Sequence, residues 1–182
     1  MIAVMSKELI PILLGMSGTG REHSALSRLF SHGDKVRSLF LVREGAVDLE
    51  RASVSGTILT LQRARPVSVI SEASLYAENY HCSAICKERT LTWAIAKTTI
   101  RKRLEQDSLF AEVWVRHLAR EIQRTRFQAE AMALKTVAGR LDAWLDWYDG
   151  ALPAKGEWKG LASQIGVSPE ALYRELAKRE SA

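Results

Sequence analysis

The 182-residue chain has little cysteine and little proline, two of the first and four of the second. Two thiols, Cys82 and Cys86, cannot build a disulfide framework. They are also too few for a zinc or iron–sulfur centre held by cysteine alone. Free, buried thiols in a reducing cytoplasm are the expectation. Their i, i+4 spacing on a predicted strand puts both on one face. Long hydrophobic runs are missing as well. The most apolar early stretch, Ile10 to Gly15, falls far short of the ~20 residues a bilayer needs, and no small-residue cleavage site follows it. No G-x-S-x-G, H-E-x-x-H or phosphate-loop pattern occurs, and four scattered histidines form no triad, so nothing points to an enzyme. Charge is nearly balanced: 26 Lys and Arg against 21 Asp and Glu leave +5. That excess permits an anionic partner without demanding one. What the chain does have is a globular composition, 47% hydrophobic and 26% charged, with five Trp to seed a core.

Two textures divide it. From Ser24 to about Lys97 short apolar or alternating pieces are separated by turn signals: Leu39–Val42, Ala46–Glu50, Ile58–Leu61, Val67–Ile70 and Leu91–Ile95. This pattern predicts an antiparallel barrel or sandwich. From Ser108 to about Ala133 neither Gly nor Pro interrupts the chain, and Phe110, Val113, Trp114, His117, Leu118, Ile122 and Arg126 recur three and four apart. One long amphipathic helix is predicted there. It could pair with a second copy or pack as a core helix on its own barrel. A further helix follows from near Lys135, with Val137, Leu141, Trp144, Leu145 and Tyr148 at helical spacing, and Gly150 and Pro153 end it.

The last stretch, from Trp158, reads as two short helices around a tight turn. Leu161, Ala162 and Ile165 form an inner face, Gly166 suits a left-handed stop, and Val167 plugs the turn. Ser168 is a good N-cap and Pro169 a good first helical residue. Leu172 and Leu176 face inward, leaving Glu170, Tyr173, Arg174, Lys178 and Arg179 outward. Small residues at the crossing and Gly at the turn are what a helix-turn-helix needs, and such a unit lays its second helix in the major groove of DNA.

The whole chain resembles the CRP/FNR superfamily of bacterial transcription regulators. The resemblance rests on several segments in order. Leu29–Asp34 and Leu39–Gly45 look like early barrel strands with their glycine turns. Ser71-Glu72-Ala73-Ser74-Leu75, then Ser83-Ala84, looks like the phosphate-binding cassette. Thr136–Leu141 looks like the entry to the DNA-binding domain, and Leu161–Leu176 like its helix-turn-helix. The resemblance implies an α+β protein: an N-terminal antiparallel β-barrel of cyclic-nucleotide-binding, jelly-roll type over residues 1–107, a dimerisation helix over 108–134, and a helix-turn-helix domain over 135–182. That last domain is short of the β-hairpin wing that usually follows. The implied partners are a palindromic DNA site, a second copy of the chain and an unidentified small-molecule effector, in the cytoplasm, with no membrane, metal or cofactor. Ser168, Glu170, Tyr173, Arg174 and Lys178 are the implied DNA-binding residues, with Glu170 and Arg174 at base-reading positions. Ser71, Glu72, Ser74, Cys82, Ser83, Thr125 and Arg126 are the implied pocket residues.

The departures bear on the effector. Cyclic-nucleotide binders of the family have Gly where Ser71 and Ser74 stand, and Gly lets a backbone approach a phosphate closely. They also have Arg immediately before the Ser-Ala pair, where this chain has Cys82, and a neutral thiol cannot supply the two-pronged, charge-assisted bonding of Arg. Arg126, beside Thr125 on the long helix, is a candidate replacement cation from the opposite side. Cyclic AMP is therefore not expected to bind. No cysteine precedes Cys82, so the iron–sulfur sensing of FNR-like members is not expected either. The expected function is a dimeric DNA-binding transcription regulator with a divergent effector pocket. The alternative is a dimeric sensing or interaction module that has lost DNA binding.

Overall fold

Alternation in the first half of the chain becomes, among the described residues, eight short strands: β1 (Thr19–His23), β2 (Arg28–Phe30), β3 (Ser38–Glu44), β4 (Val47–Ala52), β5 (Ile58–Ala64), β6 (Val69–Ile70), β7 (Ser83–Cys86) and β8 (Thr90–Ala96). This computed structural model describes residues 6–56, 58–148 and 150–180. The strands form two four-stranded sheets, ordered β1-β8-β3-β6 and β2-β7-β4-β5, with antiparallel pairing throughout. Their shared core takes Phe40, Val42, Ile70 and Ala94 from the first sheet and Phe30, Val47, Leu49, Ala64, Ala84 and Cys86 from the second. This is the expected α+β arrangement of antiparallel sheets followed by a long helix.

Three local features hold the sheets in register. Tyr80 stacks on Phe30 with ring centroids 3.8 Å apart, and its hydroxyl donates to the Ser38 carbonyl at 2.7 Å. Asp48 on β4, 2% exposed, accepts from Arg63 on β5 through both carboxylate oxygens, at 2.6 and 2.7 Å. The two-pronged geometry offsets the cost of burying that carboxylate. The β3–β4 turn needs Gly45, whose φ is +82° and where a Cβ would stand 2.5 Å from the Arg89 carbonyl oxygen.

A different turn carries strain. Arg65 to Ser68 close a β-turn through a bond from the Ser68 N–H to the Arg65 carbonyl at 3.0 Å, with Val67 at φ 67°. That position in such a turn favours glycine, and a β-branched residue there costs roughly 1–2 kcal/mol. Val67 is exposed, so its side chain returns little of this by burial. Val67→Gly is expected to raise stability by about 1 kcal/mol in urea unfolding; a drop would show that the valine side chain carries a contact worth more than the strain.

Four elements of this half add to the sequence reading. The strands begin at β1, upstream of Ser24, because Thr19–His23 is almost entirely exposed and so shows no apolar alternation. The apolar run after Glu8 is most of helix α1 (Ser6–Leu14), with Leu9 and Leu13 buried. A short helix α2 (Lys97–Gln106), strongly basic and burying Ile100, separates β8 from the long helix. Glu72–Ser74 form one 3-10 turn.

The long helix α3 spans Ser108–Ala133, the stretch expected to be one helix. Asp107 caps it, accepting from the Phe110 N–H at 2.9 Å. The chain divides into two compact units within this helix, at 117/118. In the second unit follow α4 (Val137–Trp147), α5 (Trp158–Gln164) and α6 (Pro169–Glu180). Phe127 and Ala131 of α3, Leu141 and Trp144 of α4, Leu161, Ala162 and Ile165 around α5, and Leu172 and Leu176 of α6 make one core. Stacked rings reinforce it, Phe127 on Trp147 at 4.9 Å and Trp144 on Tyr148 at 4.2 Å.

The apolar stripe of α3 needs correction. Phe110 and Trp114 are 1% and 3% exposed within a single chain and therefore need no partner copy. The exposed face is another one. Val115 and Ile122 are 62% and 52% exposed, with Ala119 and Ala129 also open. At 3.6 residues per turn these four fall within an arc of roughly 80°. The three-and-four spacing had merged two faces, one covered by the chain itself and one left bare.

Candidate effector pocket and nucleic-acid interface

The pocket candidates of the first unit gather around the 3-10 turn and the start of β7. Ser71 has φ 71° and ψ 11°, so it holds the left-handed backbone that glycine adopts without strain, and its hydroxyl donates to the Ser38 carbonyl at 3.2 Å. Ser74 is buried and its hydroxyl is bonded to His81 Nδ1 at 3.0 Å. Ser83 accepts the His32 N–H at 3.0 Å. Cys82 is buried. Burial pushes its thiol pKa up, the Glu72 carboxylate adds to this, and the Arg51 guanidinium opposes it. The thiol therefore stays protonated at neutral pH and offers neither charge nor thiolate reactivity.

Arg51 was missed in the sequence because the cation sits on a different strand. In the β4–β7 ladder Glu50 pairs with Ser83, which brings the next residue, Arg51, alongside Cys82. Asp48 and Glu50 lie toward Lys87 on the outer face, at 3.7 and 3.8 Å, while Val47 and Leu49 are core residues. Alternation then turns Arg51 toward the same side as Cys82.

Thr125 and Arg126 stand on α3 in the second unit. Thr125 donates to the Glu121 carbonyl at 2.8 Å, a bond within its own helix, and both residues are exposed.

The DNA-binding candidates lie on α6. Ser168 caps it, accepting the Ala171 N–H at 3.2 Å. The Glu170 carboxyl is held below the ordinary carboxylate range, by the backbone N–H of its own residue first, then by the Ser168 hydroxyl and the nearby Lys159 charge. It is ionised at neutral pH and turned onto the helix N-terminus. Arg174 and Lys178 are exposed opposite Leu172 and Leu176, and Tyr173, exposed at the side of the helix, leans on Trp158 with ring centroids 5.7 Å apart. Arg179 is not available outward, as the sequence had suggested. Its guanidinium donates to Asp142 at 2.6 Å, Glu175 at 2.9 Å and the Ala138 carbonyl at 3.1 Å, tying α6 to α4. Among the described residues no cluster of three or more His, Cys, Asp or Glu could hold a metal, and no helix is long and apolar enough to cross a membrane.

Residues 21–107 match the cyclic nucleotide-binding domain family. The chain is similar in fold to FixK2 of Bradyrhizobium japonicum, with a TM-score of 0.71 at 16% identity over 91% of this chain and 86% of that one. The c-di-GMP responsive global regulator CLP of Xanthomonas campestris gives 0.63 at 16% identity over 96% and 92%. A CRP-family transcriptional regulator of Thermus thermophilus gives 0.59 at 17% identity over 88% and 85%. No curated protein sequence matches. The chain shares its fold with these regulators.

Ser71 holds a left-handed conformation where the resemblance places a glycine, and carries a Cβ and a hydroxyl there. Cys82 stands where the resemblance places an arginine, and the positive charge acting on its thiol comes from the neighbouring strand.

Proposed function

We propose that this protein is a homodimeric DNA-binding transcription regulator whose effector pocket does not take cyclic AMP. The observation that carries the reading is the pair α5 and α6. They pack through Leu161, Ala162, Ile165, Leu172 and Leu176 around Gly166 at φ 65°, and Arg174 and Lys178 are left on the solvent side. This packing supports reading the pair as a helix-turn-helix with α6 as the recognition helix. Two such units, held by pairing of α3, would enter successive major grooves about one turn apart. A cytoplasmic location and the absence of catalysis accord with this role.

The test is DNA affinity against salt. Fluorescence anisotropy with fragments of the source genome is expected to give a log–log slope of several units, since each neutralised phosphate contributes about 0.9. A flat line for every fragment would favour the second reading, a dimeric interaction module without DNA binding. The ionised Glu170 at the head of α6, where a phosphate would approach, is the feature that speaks for that reading.

For the pocket, titration calorimetry is expected to show no cyclic AMP binding at micromolar concentration. Cys82→Arg combined with Ser71→Gly is expected to raise affinity by restoring the cation and removing the Cβ. Micromolar binding by the unaltered protein would refute the expectation. A different effector is compatible with the fold, since CLP is described as responding to c-di-GMP.

A further inference from the structure

One side chain of the second unit holds together two places where the chain reverses. Arg140, on the first turn and a half of α4, is half-buried. Its Nε donates to the Leu134 carbonyl at 2.8 Å and its Nη2 to the Met132 carbonyl at 3.0 Å, both at the C-terminal end of α3. Its Nη1 donates to the Ile165 carbonyl at 3.2 Å and the Gly166 carbonyl at 2.8 Å, in the turn between α5 and α6. All four acceptors are backbone oxygens at or just past a helix C-terminus, where carbonyls lack intrahelical partners and the helix dipole favours a cation. The turn is shaped to admit the guanidinium. Gly166 has φ +65°, and a Cβ there would stand 3.3 Å from Arg140 Nη1.

We infer that Arg140 is the positioning residue that sets the direction of α6 relative to the end of α3. This rests on the DNA-reading function proposed above and extends it. Only a planar fork with donors on three nitrogens can bridge the two carbonyl pairs at once. The short link between α3 and α4, residues 134–136, also carries the Thr136 cap, which accepts the Gly139 N–H at 3.0 Å, but that bond reaches only into α4. Removing the fork would leave every helix intact and its core buried, but would free the α5–α6 turn from the α3 end. In a dimer reading two half-sites, that angle decides whether both recognition helices reach their grooves together.

The experiment uses the full chain with Arg140→Met, and Arg140→Lys as the milder variant should the first fail to fold. Amide exchange is followed at Leu134, which bonds to Ala131 at the end of α3, and at Gly166 and Val167, which bond to Ser163 and Ala162. Both segments are expected to exchange at least about tenfold faster together, while amides of the β-sheets keep their protection. In the same variants the ratio of specific to non-specific DNA affinity is expected to fall at least about tenfold with an unchanged salt slope, because no phosphate contact is lost. Faster exchange in one segment alone, or in neither, would overturn the inference. So would unchanged discrimination in a variant whose exchange has risen. Should the unaltered protein fail to discriminate between DNA sequences, the DNA-reading proposal falls, and the paired exchange still decides whether Arg140 couples the two turns.

Discussion

Ile122→Glu is expected to convert the protein from dimer to monomer at micromolar concentration, read by light scattering. Ile122 is 52% exposed on the bare face of α3, in line with Val115, Ala119 and Ala129. Full burial of an isoleucine is worth about 1.5–3 kcal/mol, and half of that area remains to be covered here. A two-fold axis along the helix counts each residue twice, so the lost burial alone amounts to roughly 1.5–3 kcal/mol. That corresponds to a dissociation constant raised about 10- to 150-fold, before the cost of bringing two carboxylates together. Trp114→Ala provides the contrast. Trp114 is 3% exposed in one chain, so its loss is expected to lower the stability of the fold by about 3–5 kcal/mol rather than to act through the pairing. A monomeric unaltered protein would dispose of the dimer.

Much of this was legible in the chain because the relevant signals are local. The absence of Gly and Pro from Ser108 to Ala133 allows one long helix there, while its start is set by the Asp107 cap rather than by a glycine or proline. Leu161, Ala162, Ile165, Leu172 and Leu176 could be placed inside from spacing alone, because two short helices around a left-handed glycine have few ways to pack. Faces were less legible than elements. The α3 stripe mixed residues covered by the chain itself with residues left bare, and no sequence period separates these when both carry apolar side chains.

The site was harder still, for a related reason. Cys82, Ser71 and Ser74 could be recognised as departures, since each is a change at one position of a local motif. Arg51 beside Cys82 depends on the register of β4 against β7, strands far apart in sequence, and no local pattern reports register. Arg140 illustrates the same limit. Its position in Thr136–Leu141 could be seen, but its four acceptors lie outside that segment, at the end of α3 and in the α5–α6 turn. Arg179 looked like a free cation on α6 until α4 supplied Asp142 as its partner.

Arg174→Ala is expected to cost about 1–3 kcal/mol of DNA-binding free energy and to relax the preference at one base pair per half-site. Arg174 lies between Leu172 and Leu176, which are buried at 0% and 4% exposure, so the helical period turns it almost directly away from the core. Its neighbours are differently placed. Arg179 is tied to α4, Tyr173 is held against Trp158, and the Glu170 carboxylate is engaged at the helix N-terminus. Arg174 is thus the long, flexible donor of α6 best placed to enter a groove and bond a guanine through two nitrogens. Lys178, one turn further along, is exposed and suited to a phosphate. Lys178→Ala is expected to weaken all sequences alike and to reduce the salt slope by about one unit, with base preference intact. The two variants therefore separate base reading from backbone contact. Equal affinities of the unaltered protein and Arg174→Ala for every fragment would mean that α6 reads no sequence, and the interaction-module reading would then stand in its place.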